Sequence, residues 1–207
     1  MSKIYVAGLD VTFVHIPGET DDHIGVWLQD RRIFLCGDDI YKAFPNLYAI
    51  RGTPTRDTLQ WVESLDVIIA LEADILVPSH SRPIIGREKI RKTLTLYRDA
   101  IQLVHDQTVR YMNKGMLPQD IAKKIRLPSQ LSGHPYLQQF YGTVAWSSRA
   151  VFNHYMGWFS GSPVDLDPLL PAERSERMIA LGKGFENVLK VAATALEKQV
   201  RRNERRT

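Results

Sequence analysis

Three side chains set the chemistry this sequence can support: Glu19, Asp38 and His80. Each closes an apolar segment and a turn, in His15-Ile-Pro-Gly-Glu19, Phe34-Leu-Cys-Gly-Asp38 and Val77-Pro-Ser-His80. Strands hold the backbone while the turns at their ends converge, so two carboxylates and an imidazole can project into one cleft. That donor set suits a divalent cation of hard-to-borderline character such as zinc. One carboxylate could also bridge two ions about 3.5–4 Å apart, as in two-metal hydrolases. Asp21, Asp22 and His23 beside Glu19 either add ligands or form and cap the turn.

The elements that must position these groups follow from residue spacing. Residues 3–7 and 9–15 read as two β segments around Gly8, and residues 23–28 and 32–36 as a hairpin with a polar loop. After Asp39 comes a loop, residues 41–54. Residues 55–71 have helical spacing, with Leu59, Val62, Leu65, Ile68 and Ile69 on one side. Residues 75–78 form a buried strand that ends at His80. From residue 88 the pattern becomes helical: Ile90, Leu94, Tyr97, Ile101, Val104, Thr108 and Tyr111 predict one long amphipathic helix ending near Gly115. Further helices are expected over 118–125, 136–159, 173–182 and 185–200, with a linker over 163–171. The fold class is therefore α+β, with strands first and an all-α second half.

Of 207 residues, 44% are hydrophobic and 24% charged, as in ordinary globular proteins. The net charge of +4 sits in the last ten residues, which hold five basic side chains and one acid. The remainder has 22 of each sign, so no basic face is expected and nucleic-acid binding is not. Cys36 is the only cysteine, which excludes a disulfide framework and a thiolate zinc site. No run of 18 apolar residues or signal-like start is present, so no membrane span is expected and a soluble, reducing compartment is the default.

The motifs resemble a known family. A Pro-Gly turn with Thr20 after a strand, then an apolar strand ending in Gly37-Asp38, then one ending in Pro78-Ser79-His80, is similar to the C-terminal half of a metallo-β-lactamase fold. Glu19 stands where the wider superfamily has histidine, which resembles the alkylsulfatase branch. The similarity continues through Asn46-Leu-Tyr-Ala-Ile-Arg51-Gly-Thr-Pro-Thr-Arg56-Asp57, His105-Asp-Gln-Thr-Val-Arg110-Tyr-Met-Asn-Lys-Gly115, Phe140-Tyr-Gly142 and Gly157-Trp-Phe-Ser-Gly161. The resemblance implies a partial metallo-β-lactamase αββα half over residues 1–87 and a helical alkyl sulfatase dimerisation domain over 88–200, and the charge pattern leaves a basic tail over 201–207. The same resemblance implies hydrolysis of linear primary alkyl sulfates, SDS-like detergents, by a homodimer with two zinc ions per complete site. Glu19 would bind the first zinc, Asp38 would bridge, and His80 would bind the second. Arg56 would hold the sulfate, with Asn46 and Arg51 lining the same pocket; guanidinium forks suit such an anion. Alternatively, Arg51 forms a turn salt bridge and Arg56 is a charge at a helix start.

One part of the family pattern is missing. The superfamily's His-X-His-X-Asp-His cluster does not occur among the six histidines, at 15, 23, 80, 105, 134 and 154. The sterol-carrier-like C-terminal domain of the family is missing as well. Two readings follow: a zinc-dependent alkylsulfatase present as an incomplete chain, inactive by itself, or a non-catalytic dimerisation module.

Overall fold

The computed structural model describes residues 2–50, 52 and 55–204, which form two compact units dividing after Ser160. The first unit is built on a six-stranded sheet in sequence order: β1 (Ser2–Val6), β2 (Leu9–His15), β3 (Ile24–Leu28), β4 (Ile33–Gly37), β5 (Ile75–Pro78) and β6 (Ile84–Ile85). β1 to β4 run antiparallel. Ala7 and Gly8 both take positive φ, 50° and 79°, which gives the two-residue turn whose twist matches its strands. β5 lies parallel to β4 and so needs a crossover, supplied by helix α1 (Thr58–Ala70). β6, two residues antiparallel to β5, is too short to leave a periodic signal in the sequence.

The sheet is apolar on both faces. Across one face the register lines up Thr12, Trp27, Phe34, Leu76 and Ile84, all buried. Across the other it lines up Phe13, Val26, Leu35 and Val77, partly exposed. The inner face packs on Trp61, Leu65 and Ile68 of α1 and on Leu94, Tyr97 and Ile101 of helix α2 (Arg87–Met112). Burying each aliphatic side chain there contributes roughly 1.5–3 kcal/mol.

The expected stripe of α2 is the buried one, from Ile90 through Leu94, Tyr97, Ile101 and Val104 to Thr108. α1 begins three residues later than its spacing suggested, because the Asp57 carboxylate accepts the N–H groups of Leu59 and Gln60 and caps the helix there. Leu59 is consequently exposed, and Trp61 takes its place in the core.

Helices α3 (Pro118–Lys124), α4 (Ser129–Ser132) and α5 (Val144–Met156) complete the unit. The helix expected over 136–159 is thus half that length. Residues 138–142 instead pair with the loop after Asp39: Phe44 N–H donates to Gln138 O at 2.8 Å, and Gly142 N–H donates to Phe44 O at 3.1 Å. Thr143 then caps α5 through Trp146 N–H. His105 of α2, buried, donates from Nδ1 to Asp106, while its Nε2 meets the Tyr155 hydroxyl of α5 at 2.8 Å.

The second unit is a helical hairpin, α6 (Pro171–Leu181) and α7 (Phe185–Glu204), broken by the left-handed pair Lys183 and Gly184. Met178, Leu181, Phe185, Leu189, Val191 and Leu196 are all exposed along it. Among the described residues, no helix is long and apolar enough to cross a membrane.

A Cβ at Gly142 would overlap the backbone of Phe44 and Pro45, which cannot yield as a flexible side chain can. Gly142→Ala is expected to cost ~1–3 kcal/mol in denaturant unfolding, the usual scale of overpacking, whereas Ala at Gly52, with open space around it, is tolerated.

Candidate active site

Three turns at one end of the sheet meet around a buried aspartate, Asp39. The turn after β2 is closed by Ile16 N–H to His23 O (2.9 Å) and Gly18 N–H to Thr20 O (3.1 Å). It is fastened to α1 by the Ser64 hydroxyl, which donates to Pro17 O at 2.8 Å. Glu19 N–H donates to Asp39 Oδ1 at 3.1 Å, and the Trp61 indole donates to Asp39 O at 3.1 Å. Gly18 makes this approach possible, since a Cβ there would lie 2.6 Å from both Asp39 Oδ1 and the Trp61 ring. Burial pushes the Asp39 carboxyl up to about 7; nearby His23 and the Glu19 amide act in the opposite direction.

Asp21, Asp22 and His23 turn out to build the loop. Asp21 O accepts from His15 Nε2, and Asp22 accepts the Thr20 hydroxyl. His23 Nε2 donates to Cys36 O at 3.0 Å and lies 3.9 Å from Asp39 Oδ1. Gly37, with φ 57°, leaves room for this ring; a Cβ would sit 2.5 Å from Nε2.

The parallel pairing of β4 and β5 sets Asp38 beside His80, with Ser79 N–H donating to Gly37 O. His80 Nε2 is 3.5 Å from Asp38 Oδ2. Asp38 and His80 line a cavity of about 410 Å³ together with Glu19. Tyr41, Lys42, Ala43, Ser81 and Tyr141 complete its walls. Sequence reasoning missed these: Tyr41 lies in an unassigned loop, and Tyr141 falls inside the helix expected over 136–159. Burial pushes the Tyr41 phenol up; its oxygen accepts Asn46 N–H at 2.8 Å, and its ring meets Tyr141 edge-on at 5.7 Å.

Arg56 is the buried cation of the site, with a side chain only 10% exposed. Its guanidinium donates to Glu19 Oε1 and to Asn46 O, and stands 6.0 Å over the Trp61 ring. Arg56 and Asn46 therefore meet, through the asparagine's backbone carbonyl. Arg51 lies outside the described residues.

Several features suit a cation: acidic and imidazole donors on one cavity wall, and Asp38 Oδ1, buried and receiving no hydrogen bond from the described residues. Yet among the described residues no three such side chains are gathered closely enough to cage an ion. Asp38 and His80 are adjacent, and Glu19 is held to the side by Arg56.

Comparison with known proteins gives this geometry a family. Residues 3–80 match the metallo-beta-lactamase superfamily model, and residues 117–203 match the model for alkyl sulfatase dimerisation. The chain belongs to the metallo-β-lactamase superfamily. Within it, the chain falls in the alkylsulfatase branch. It is 46% identical over 192 residues to a linear primary-alkylsulfatase of a Pseudomonas species, covering 92% of this chain and 36% of that one. It is 31% identical to the alkyl/aryl-sulfatase BDS1 of Saccharomyces cerevisiae, covering 89% and 29%. The solved structure of the stereoselective inverting sec-alkylsulfatase Pisa1 from Pseudomonas sp. matches with a TM-score of 0.91 at 29% identity, over 97% of this chain and 32% of that one. The chain thus spans about a third of the length of the curated relatives it matches.

Asp39 offers a direct check on how the turns are tied. Asp39→Ala leaves the Glu19 amide without its acceptor and is expected to lower stability by ~1–3 kcal/mol, whereas Asp39→Asn, which keeps an acceptor oxygen, loses less. Equal losses in urea unfolding would contradict this role.

Proposed function

We propose that this chain carries part of the active site of a zinc-dependent hydrolase acting on linear primary alkyl sulfates. The observation that carries the reading is the convergence of Glu19, Asp38 and His80 on one cavity, with Arg56 fastened to Glu19. Glu19 would serve the first of two zinc ions, Asp38 would bridge, and His80 would serve the second. Zinc supplies Lewis acidity for cleaving such an ester. The chain's own residues bind and orient. Arg56 keeps donors beyond those given to Glu19 and Asn46, and these would read two sulfate oxygens as a fork. Asn46 and Arg51 line the sulfate pocket in this reading, and Asp39 fixes the backbone of Glu19.

The helical part, residues 88–200 in this proposal, would join two copies into a homodimer. The exposed apolar row along α6 and α7 supports it, because an amphipathic hairpin left alone in water gains little from its own contacts.

A second reading, a non-catalytic dimerisation module, is favoured by the lack of a ready three-ligand cluster among the described residues. Zinc titration of the purified chain separates the two. Under the first, zinc binds weakly, below two ions per chain, and Asp38→Ala or His80→Ala abolishes it. No zinc uptake, or uptake indifferent to both substitutions, favours the module. The 207-residue chain alone is expected to release no sulfate from dodecyl sulfate, since the His-X-His-X-Asp-His ligands are not in this sequence. Zinc-dependent release would overturn that expectation. In light scattering, twice the chain mass is expected, and a monomer would count against the dimer.

A further inference from the structure

Outside the Glu19 cavity, one group of side chains has the layout of a nucleophile with its base. His105 of α2 is buried, and its Nδ1 lies 2.8 Å from Asp106 Oδ1. A carboxylate only accepts hydrogen bonds, so Nδ1 keeps the ring proton and Nε2 keeps its lone pair. That lone pair faces the hydroxyl of Tyr155, in the last turn of α5, at 2.8 Å. The phenol therefore donates to the imidazole, while Asp106 fixes the imidazole from its other nitrogen. None of the three lines the Glu19 cavity.

A phenol is a weak nucleophile until a base takes its proton. Here the base is already at hydrogen-bond distance, and a third group holds it in one tautomer. Hydroxyl, imidazole and carboxylate divide their roles in this way in nucleophilic hydrolases. Tyr155 is also open to a reagent, being 49% exposed. Tyr5 and Tyr141 are more exposed, at 74% and 57%, but meet no imidazole among the described residues. They calibrate what exposure alone achieves.

We propose that Tyr155 is a base-activated phenol, the site at which this chain takes up an acyl group from an activated ester. The phenolic oxygen bonds to the acyl carbon, and the bond from that carbon to the leaving oxygen breaks. The leaving group departs with the electron pair of that bond. The phenolic proton passes to His105 Nε2, whose new charge Asp106 balances, and from there to water. The alternative role for His105 is a clamp between α2 and α5. Loss of a clamp frees the Tyr155 ring and speeds its acylation, whereas loss of a base slows it, so the sign of the effect separates the two.

The test treats the full chain briefly with p-nitrophenyl acetate and maps acetylated peptides by mass spectrometry. Hydroxylamine, which strips acetyl groups from phenols but not from amines, identifies the tyrosine esters. Tyr155 is expected to react at least about tenfold faster than Tyr5 or Tyr141, a factor within reach of a positioned general base. His105→Gln should remove that advantage. Asp106→Ala should lower it severalfold, and because Asp106 is exposed its circular dichroism should match the parent. His154→Gln should change nothing, since that ring only lies edge-on to Tyr155 at 5.1 Å. The proposal is overturned if Tyr155 reacts no faster than Tyr5, or if His105→Gln and Asp106→Ala both leave its rate unchanged or raise it. Zinc uptake and sulfate release do not enter this test, so it can fail while the hydrolase reading stands, and the reverse.

Discussion

The site depends on a carboxylate that the protein has taken out of water. Asp39 is fully buried, accepts the Glu19 amide, offers its own carbonyl to the Trp61 indole and lies beside His23. Burying a carboxylate is costly unless hydrogen bonds and opposing charge compensate; here Oδ1 receives the Glu19 amide and faces His23, both from the segment between β2 and β3, while Trp61 of α1 holds the backbone carbonyl of the same residue. Each segment therefore pins the others. The turn after β2, the turn after β4 and the start of α1 hold one arrangement, and Glu19 and Asp38 are presented to one cavity as a result. Arg56 works from the other side of Glu19, so both the backbone and the side chain of that residue are fixed.

Much of this was legible in the sequence, and the parts that were not have physical reasons. The α2 stripe could be read because only one face is buried, which imposes a 3.6-residue period. The hairpins could be read from their turn residues. In β4 and β5 the period-2 alternation was hidden, since Phe34 and Leu76 face one side and Leu35 and Val77, equally apolar, face the other. The start of α1 was misplaced because a cap depends on which side-chain oxygen reaches the free amides, and Asp57 competes with neighbouring threonines. The length of α5 was overestimated because tertiary hydrogen bonds from Phe44 outweigh helix formation over residues 138–142. That Glu19, Asp38 and His80 face one cavity could be read from turns at strand ends. Asp39 and Tyr41 could not be assigned a role, because partners 20 residues away and a cavity wall leave no local pattern.

The outward row of Phe13, Val26, Leu35 and Val77 bears on how the chain behaves in water. A sheet apolar on both sides is normally sandwiched, and apolar surface left open favours association. The first unit therefore combines a well-packed inner layer with an outer layer suited to further contact. The apolar row along α6 and α7 gives the second unit the same property on its own terms.

The short seam in which Phe44 exchanges hydrogen bonds with Gln138 and Gly142 joins segments almost a hundred positions apart. Because Gly142 sits against carbonyl oxygens rather than side chains, no compensating change of rotamer can relax a mismatch there. Exchange of the helical portion between relatives would have to carry residues 41–48 along with it. The loop behind the cavity and the entry to α5 thus form a single structural unit, although the sequence divides them between two family segments.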